Sequence, residues 1–166
     1  RGLGDVYKRQ SLDVQEKLYD AIFMARLTPE KGVYDVVSIW RAVVKEYPRA
    51  RLVIVGRFRD GRVAQTFYSL VRKYELGKNV SYLGFLLGKE KILALKCARL
   101  FIYPSRLDAF PIAVLEALAC GLPVVTYDIL AIRCNYPRDI VTRVTVGNIA
   151  EFAENVLTLL DSNAIA

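Results

Sequence analysis

Apolar residues occur in short continuous runs, separated by longer stretches in which they recur every three or four positions. A short apolar run without alternation is typical of a strand that is covered on both faces. Such runs predict strands at residues 20–25, 51–56, 79–84, 99–105 and 122–128. A shorter strand is predicted within 140–146, and the rest of 129–147 is expected to be irregular.

The segments between these runs place apolar residues at helical spacing, which predicts helices packed on the sheet. Helices are expected to begin near residues 33, 63, 88, 111 and 149. Pro111 is expected in the first turn of its helix, where a missing N–H costs nothing. Gly77 is expected to end the second helix. Regular alternation of strand and helix predicts an α/β fold with a doubly wound, Rossmann-like parallel sheet.

The chain of 166 residues is long enough for one domain with a sizeable core. The opening stretch RGLGDVYKRQ has neither a hydrophobic period nor a capping pattern. Residues 1–10 are therefore expected to be non-native or disordered, and residues 11–166 to form the domain. Because no apolar run could span a bilayer and no apolar leader opens the chain, we expect a cytoplasmic location.

The charge balance and the residue types missing from the chain narrow its chemistry. A net charge of +7 favours a phosphate ligand, an anionic lipid or nucleic acid, without choosing among them. The absence of histidine excludes Ser-His-Asp and Cys-His nucleophiles and histidine metal ligands within this chain. The three cysteines lack CxxC spacing, so we expect buried thiols rather than a disulfide framework or a zinc site.

Two loops that follow predicted strands carry cations where a parallel sheet binds its ligands. In the first, Arg26 and Lys31 flank a turn. A guanidinium fork and an ammonium point charge suit a diphosphate, whereas the alternative is a solvated turn before a helix. In the second, residues 56–61 have the glycine spacing of a P-loop but lack the Lys-Ser/Thr that follows it, which favours an ordinary basic loop.

The stretch PSRLDAFPIAVLEALACGLPVV, at residues 104–125, holds two carboxylates in apolar surroundings. Asp108 stands just before the predicted helix, as either an N-cap or a ligand-binding group. Glu116 lies in a helix that is apolar nearly all round and is therefore expected to be buried. A buried carboxylate needs a partner, which could be an internal Arg or Lys or the hydroxyls of a ligand.

Two segments resemble motifs of the retaining glycosyltransferases of group 1, family 4: ARLTPEKG at residues 25–32, and the stretch at 104–125. The resemblance covers residues 18–160 and matches the C-terminal, donor-binding lobe of their two-lobed B-type fold. It implies a metal-independent hexosyltransferase without a cofactor, which takes a UDP- or GDP-sugar as donor. Its catalytic site would comprise Arg26 and Lys31 at the diphosphate, Asp108 facing the transferred sugar and Glu116 on the ribose.

The resemblance also implies a set of residues that bind the donor. Gly56 would let backbone approach the ligand, and a segment after the third strand would lie beside the base. The amides of the loop that enters the fourth helix would meet the phosphates. The residues of these two segments are Gly84, Phe85 and Leu86, and Phe110, Pro111, Ile112 and Ala113.

This chain departs from the family's pattern in ways that concern the donor sugar. Asp108 replaces a glutamate, Ala109 replaces a glycine, and residues 128–133 lack the family's glycines. Two alternatives to a glycosyltransferase stay open: a non-catalytic nucleotide- or anion-binding fragment, and a sugar-nucleotide epimerase-like domain.

The partners follow from the same resemblance. We expect a nucleotide-sugar donor and an N-terminal acceptor lobe that is missing from this chain. Peripheral contact with an anionic membrane surface stays open, and nucleic acid is not expected. The isolated chain should transfer little sugar, because one lobe cannot assemble the acceptor site or exclude water.

Overall fold

A single parallel sheet organises the computed structural model, which describes residues 17–162. The strand order is β3-β2-β1-β4-β5-β6, which confirms the predicted parallel sheet and its short last strand. The expectation for residues 1–10 falls outside the described residues. The strands are β1 (Tyr19–Met24), β2 (Leu52–Val55), β3 (Val80–Tyr82), β4 (Ala98–Tyr103), β5 (Val124–Tyr127) and β6 (Thr142–Val144).

Helices flank this sheet and close a common apolar core. They are α1 (Val33–Glu46), α2 (Gly61–Lys73), α3 (Gly88–Lys96), α4 (Ile112–Ala119), α5 (Leu130–Asn135) and α6 (Ile149–Ser162). α1 packs against α2 and α6, while α3 and α4 pack against β4. The core joins strand residues such as Phe23 and Phe101 to Trp40 of α1 and Phe152 of α6. Within residues 17–162, no helix is long and apolar enough to cross a membrane.

Three expectations about local structure are wrong. The segment expected to be irregular contains α5, whose six residues are too few to show a helical period. α2 ends at Lys73, and the left-handed residue beyond it is Glu75 (φ 56°) rather than Gly77. Buried Leu76, whose amide donates to the carbonyl of Val71, fixes the chain there. Finally, the cysteine thiols are not all buried, because Cys134 is exposed.

Two glycines bring the loops at the carboxyl edge of the sheet into backbone contact. A Cβ at Gly32 (φ 85°) would lie 2.0 Å from the carbonyl oxygen of Pro104. A Cβ at Gly56 (φ 148°) would lie 1.8 Å from the carbonyl oxygen of Ala25. The loops after β1, β2 and β4 therefore touch where the strand order reverses, the position at which such sheets bind ligands.

Candidate functional site

A cleft of ≈ 690 Å³ opens at the carboxyl ends of the first three strands. This cleft is the main cleft. Its walls are the ends of β1, β2 and β3 with the loops that follow them, and one side each of α3 and α4. These walls comprise residues 24–26, 55–59 and 85–87 together with Lys91, Ala113 and Glu116.

Three arginines line the main cleft, and they differ in how their charge is used. The guanidinium of Arg26 forms no hydrogen bond or ion pair with any residue between 17 and 162, so it can engage a ligand. Arg57 lies 5.2 Å from the ring centre of Phe85. Arg59 pairs with Asp60 (3.0 Å) and with a second carboxylate after β1.

Residues 56–59 of the second basic loop line the main cleft, and sequence reasoning did not place Arg57 and Arg59 there. The loop directly follows β2, and loops at the carboxyl ends of parallel strands are where such sheets bind ligands. That position was the signal that could have identified the two arginines.

Glu116 lies on a helix that is only half covered, contrary to the expectation of an α4 buried all round. Val114 and Ala117 face the core, but Ile112 is 57% exposed and Leu115 is 50% exposed. The carboxylate, 28% exposed, accepts a hydrogen bond at Oε1 from Lys91 of α3 at 2.5 Å. Oε2 accepts none from the described residues. Glu116 therefore has an internal lysine as one partner and a cleft beside its other oxygen.

Lys31 and Asp108 pair with each other outside the lining of the main cleft. Lys31 Nζ lies 2.6 Å from Asp108 Oδ2 and 3.2 Å from the carbonyl oxygen of Leu107. Tyr103 donates its hydroxyl to the same Oδ2 at 2.5 Å, and the Phe110 amide donates to Oδ1 at 3.1 Å. Both carboxylate oxygens of Asp108 are therefore occupied.

The helix-cap interpretation of Asp108 is wrong, because no side chain caps α4. Pro111 stands immediately before the first residue of α4 rather than inside its first turn, with φ −78° and ψ 75°. Asp108 instead lines a second depression of ≈ 590 Å³ between the loops that follow β4 and β5.

The environment of Asp108 fixes the protonation of this cluster. Burial acts to raise the pKa of Asp108, but the hydrogen bonds from Lys31 and Tyr103 outweigh it and bring the pKa below its usual value. Burial and the hydrogen bond to Asp108 raise the pKa of Tyr103. At neutral pH the carboxylate is therefore ionised and the hydroxyl is protonated, which suits the bond between them. Tyr103 is a residue that sequence reasoning missed.

The remaining predicted binding residues divide between the cleft and its surroundings. Those that line the main cleft are Gly56, Phe85, Leu86 and Ala113. Those that lie outside its lining are Gly84, Phe110, Pro111 and Ile112.

Internal bonds explain much of that division. The amides of Phe110 and Ile112 already donate within the loop, to Asp108 at 3.1 Å and to the carbonyl of Phe110 at 2.9 Å. Pro111 has no amide proton, and its carbonyl accepts the hydroxyl of Tyr136 at 2.9 Å. The amide of Ala113 donates to no described residue, so among the four predicted residues of this loop it is the one whose amide can meet a ligand.

Comparison of the sequence with known proteins gives a consistent picture. Residues 7–165 match the family model of glycosyl transferases group 1. An uncharacterized glycosyltransferase of Methanocaldococcus jannaschii is 32% identical over 132 residues, covering 75% of this chain and 31% of that protein. The alpha-monoglucosyldiacylglycerol synthase of Acholeplasma laidlawii is 29% identical over 121 residues, covering 72% of this chain and 30% of that protein. The chain thus spans under a third of the length of these curated relatives.

Comparison of the structure agrees at the level of the fold. The crystal structure of Anabaena HepE in complex with UDP-glucose superposes with a TM-score of 0.80 at 21% sequence identity. The superposition covers 97% of this chain and 44% of HepE.

Proposed function

This chain belongs to the group 1 glycosyl transferases, and we propose that its main cleft binds the nucleoside diphosphate of a sugar donor. Membership confirms the resemblance carried by the two motifs, and the sheet confirms the expected Rossmann-like fold. Sugar transfer is proposed for the whole protein, since this chain covers 31% of the glycosyltransferase of Methanocaldococcus jannaschii.

The observation that carries the proposal is the combination of charges in one cleft. Arg26 and Glu116 line the same space. Among residues 17–162, the Arg26 guanidinium forms no hydrogen bond or ion pair, and Oε2 of Glu116 accepts no hydrogen bond. A guanidinium donates in parallel to two phosphate oxygens, and a carboxylate accepts from ribose hydroxyls. The amide of Ala113, at the start of α4, adds a donor where helix termini favour anions.

The base would lie against the exposed ring of Phe85. This ring is 55% exposed, and the guanidinium of Arg57 lies 5.2 Å from its centre. An aromatic face beside a cation suits a planar base. We propose uridine or guanosine, and the complex of HepE with UDP-glucose supports the first.

The transferred sugar is assigned to the side of the site that holds Lys31 and Asp108. Asp108 and the carbonyl of Leu107 each take one N–H of the Lys31 ammonium, and a further N–H remains for a phosphate or sugar oxygen. Because Asp108 accepts from Lys31 and Tyr103 at Oδ2 and from the Phe110 amide at Oδ1, its proposed role is to fix Lys31 and the loop.

The chemistry proposed for this arrangement is stabilisation of the leaving nucleoside diphosphate. As the bond between the sugar and the diphosphate breaks, negative charge gathers on the phosphate oxygens. The preorganised cations Arg26 and Lys31 and the amide of Ala113 would stabilise that charge. For the whole protein we propose retaining transfer of a hexose to an acceptor bound by a second lobe, without a cofactor or a metal ion, at a cytoplasmic site.

A non-catalytic nucleotide-binding module is the second candidate. The observation that favours it is the internal bonding of Asp108, which replaces the family's longer glutamate and uses both of its oxygens in contacts within the chain. Such a module would bind the same nucleotide but would not transfer sugar when joined to an acceptor lobe.

The test is calorimetric titration of UDP and of GDP into the 166-residue chain, without added metal. We expect a dissociation constant on the order of 0.1–1 mM for one of them, because part of the ligand stays in water. Arg26→Met should weaken both the nucleotide and inorganic pyrophosphate about tenfold, the loss of a charge-assisted contact.

The matched control is Arg49→Met, which removes the same charge from an exposed position just before β2, at the opposite edge of the sheet. It should leave both affinities within about twofold. Failure of UDP and GDP to bind at millimolar concentration, or equal losses in the two variants, would contradict the proposal.

A further inference from the structure

The ion pair between Lys91 and Glu116 forms part of the wall between two clefts. One is the main cleft, and the other, of ≈ 790 Å³, lies along α3. The two side chains are 25% and 28% exposed, and Nζ lies 2.5 Å from Oε1. Lys91 therefore stands at the same place as the carboxylate to which the ribose is assigned, although neither motif contains it.

The geometry of the pair leaves half of the carboxylate vacant. Lys91 occupies Oε1, and Oε2 accepts no hydrogen bond from residues in the described part of the chain. Because each carboxylate oxygen is an acceptor in its own right, the vacant oxygen can accept from a hydroxyl while Lys91 stays in place. Binding of such a ligand does not require the pair to break.

Lys91 also changes what Glu116 does to an anionic ligand. A lone carboxylate beside a diphosphate would repel it, whereas a carboxylate paired at 2.5 Å carries little net charge. The same contact limits the rotamers of a side chain that is otherwise free to turn toward solvent. An acceptor held in place before the ligand arrives binds more tightly than one that must be ordered on binding.

We propose that Lys91 is the positioning residue for ribose recognition, holding Glu116 by Oε1 so that Oε2 accepts from a ribose hydroxyl. This inference rests on the nucleotide site proposed above and adds that the cleft favours ribonucleotides through a lysine on α3. The competing interpretation is a plain tie between α3 and α4, which would affect stability without affecting the choice of ligand.

The experiment compares UDP and GDP with their 2′,3′-dideoxy analogues, which keep the base and the diphosphate but lack the hydroxyls. In Lys91→Met we expect the better ribonucleotide to bind about tenfold more weakly. The affinity for its dideoxy analogue should change by less than about twofold, apart from the effect that the lost positive charge has on both ligands alike. The ratio of the two affinities should therefore fall to near one, because a charge effect common to both ligands cancels in it.

Lys89→Met is the matched control, since it removes the same charge from an exposed position of α3 that lines the cleft along α3 but not the main cleft. It should leave the ratio unchanged. Lys91→Arg keeps a cation and should recover most of the ratio. In a Glu116→Gln background, Lys91→Met should not change the ratio further, because the lysine acts through the carboxylate.

An unchanged ratio in Lys91→Met, with the unmodified chain binding UDP or GDP, would overturn the role of Lys91 and leave the nucleotide site standing. Failure of the unmodified chain to bind either nucleotide would overturn both. If Lys91→Met does not fold, as judged by thermal unfolding, the same ratio is measured in Lys91→Gln, which keeps a polar side chain.

Discussion

The two lysine–carboxylate pairs of the site have nearly the same length but different surroundings. Lys31–Asp108 measures 2.6 Å and Lys91–Glu116 measures 2.5 Å. The Asp108 side chain is 10% exposed and also accepts from Tyr103 and from a backbone amide. Glu116 is 28% exposed and, among residues 17–162, accepts only from Lys91. An ion-pair distance alone therefore does not indicate a role; what matters is how many acceptor sites remain.

The two carboxylates are therefore expected to differ in role: Asp108 stabilises the fold, and Glu116 binds the ligand. Removing one partner of a well-buried, hydrogen-bonded pair leaves polar groups unsatisfied, so the Asp108 cluster should contribute mainly to stability. A more exposed pair contributes little to stability, and its vacant oxygen is free for a ligand. We therefore expect substitutions of Asp108 and Tyr103 to lower the free energy of unfolding more, and substitutions of Lys91 and Glu116 to weaken nucleotide binding more.

The largest expected effect is that of Asp108→Ala on stability. It leaves the Lys31 ammonium and the Tyr103 hydroxyl without their partner, and we expect the free energy of unfolding to fall by about 2–3 kcal/mol. Urea denaturation at neutral pH measures it. Asp139→Ala, at an exposed position, is the control and should change stability by less than about 0.5 kcal/mol. A similar small change in Asp108→Ala would show that the cluster does not hold the loops.

Glu116→Gln should show the opposite pattern. The amide keeps the shape but loses the charge, so UDP binding should weaken by roughly 1.5 kcal/mol, about tenfold, while the free energy of unfolding changes by less than about 1 kcal/mol. Inorganic pyrophosphate, which has no ribose, should bind as before. Calorimetric titration of both ligands measures this, and equal losses for the two would mean that Glu116 is structural.

Tyr103→Phe tests one bond of the first pair. The ring stays in the core, while Asp108 loses the hydroxyl that lies 2.5 Å from Oδ2. We expect a loss of about 1 kcal/mol in the free energy of unfolding, with pyrophosphate binding unchanged. Tyr47→Phe, at a partly exposed position, is the control. No measurable loss relative to that control would show that the Tyr103 hydroxyl does not stabilise the fold through Asp108.

The smallest expected effect is a pH dependence. The folded pKa of Asp108 lies below the ordinary 3.8, so its ionised form stabilises the protein fully above that value. This contribution is lost as the pH falls through the lower folded pKa. The difference in stability between the unmodified chain and Asp108→Asn should therefore be constant near neutrality and should narrow below pH 3.8. A difference that stays constant down to pH about 2.5 would contradict the assigned shift.

Much of the architecture could be predicted from the sequence because the apolar runs determine which segments are strands. Once the strands are parallel, Arg26 and Lys31 after β1 and Asp108 after β4 must lie at one edge of the sheet. The segment before β6 was misjudged because α5 is shorter than two full helical turns and has no period to detect.

The partners within the site could not be predicted. Lys91 meets Glu116 because α3 and α4 both pack against β4, and nothing in the spacing of the two residues encodes that packing. In the sequence, Tyr103 is one of several apolar residues in a predicted strand, and nothing there indicates that its hydroxyl donates to Asp108. The composition of α4 led to the wrong expectation that the helix is buried all round. Apolar residues on every side of a helix do not show which side packs on the core, and Ile112 and Leu115 are exposed.

The most direct test of the account is a crystal structure of this chain with UDP. We predict a phosphate oxygen within hydrogen-bonding distance of the Arg26 guanidinium and a ribose hydroxyl donating to Oε2 of Glu116. Lys91 should still contact Oε1, and Asp108 should still accept from Lys31 and Tyr103. A ribose bound elsewhere, or an Asp108 released from Tyr103 to bind the nucleotide, would contradict the division of roles between the two pairs.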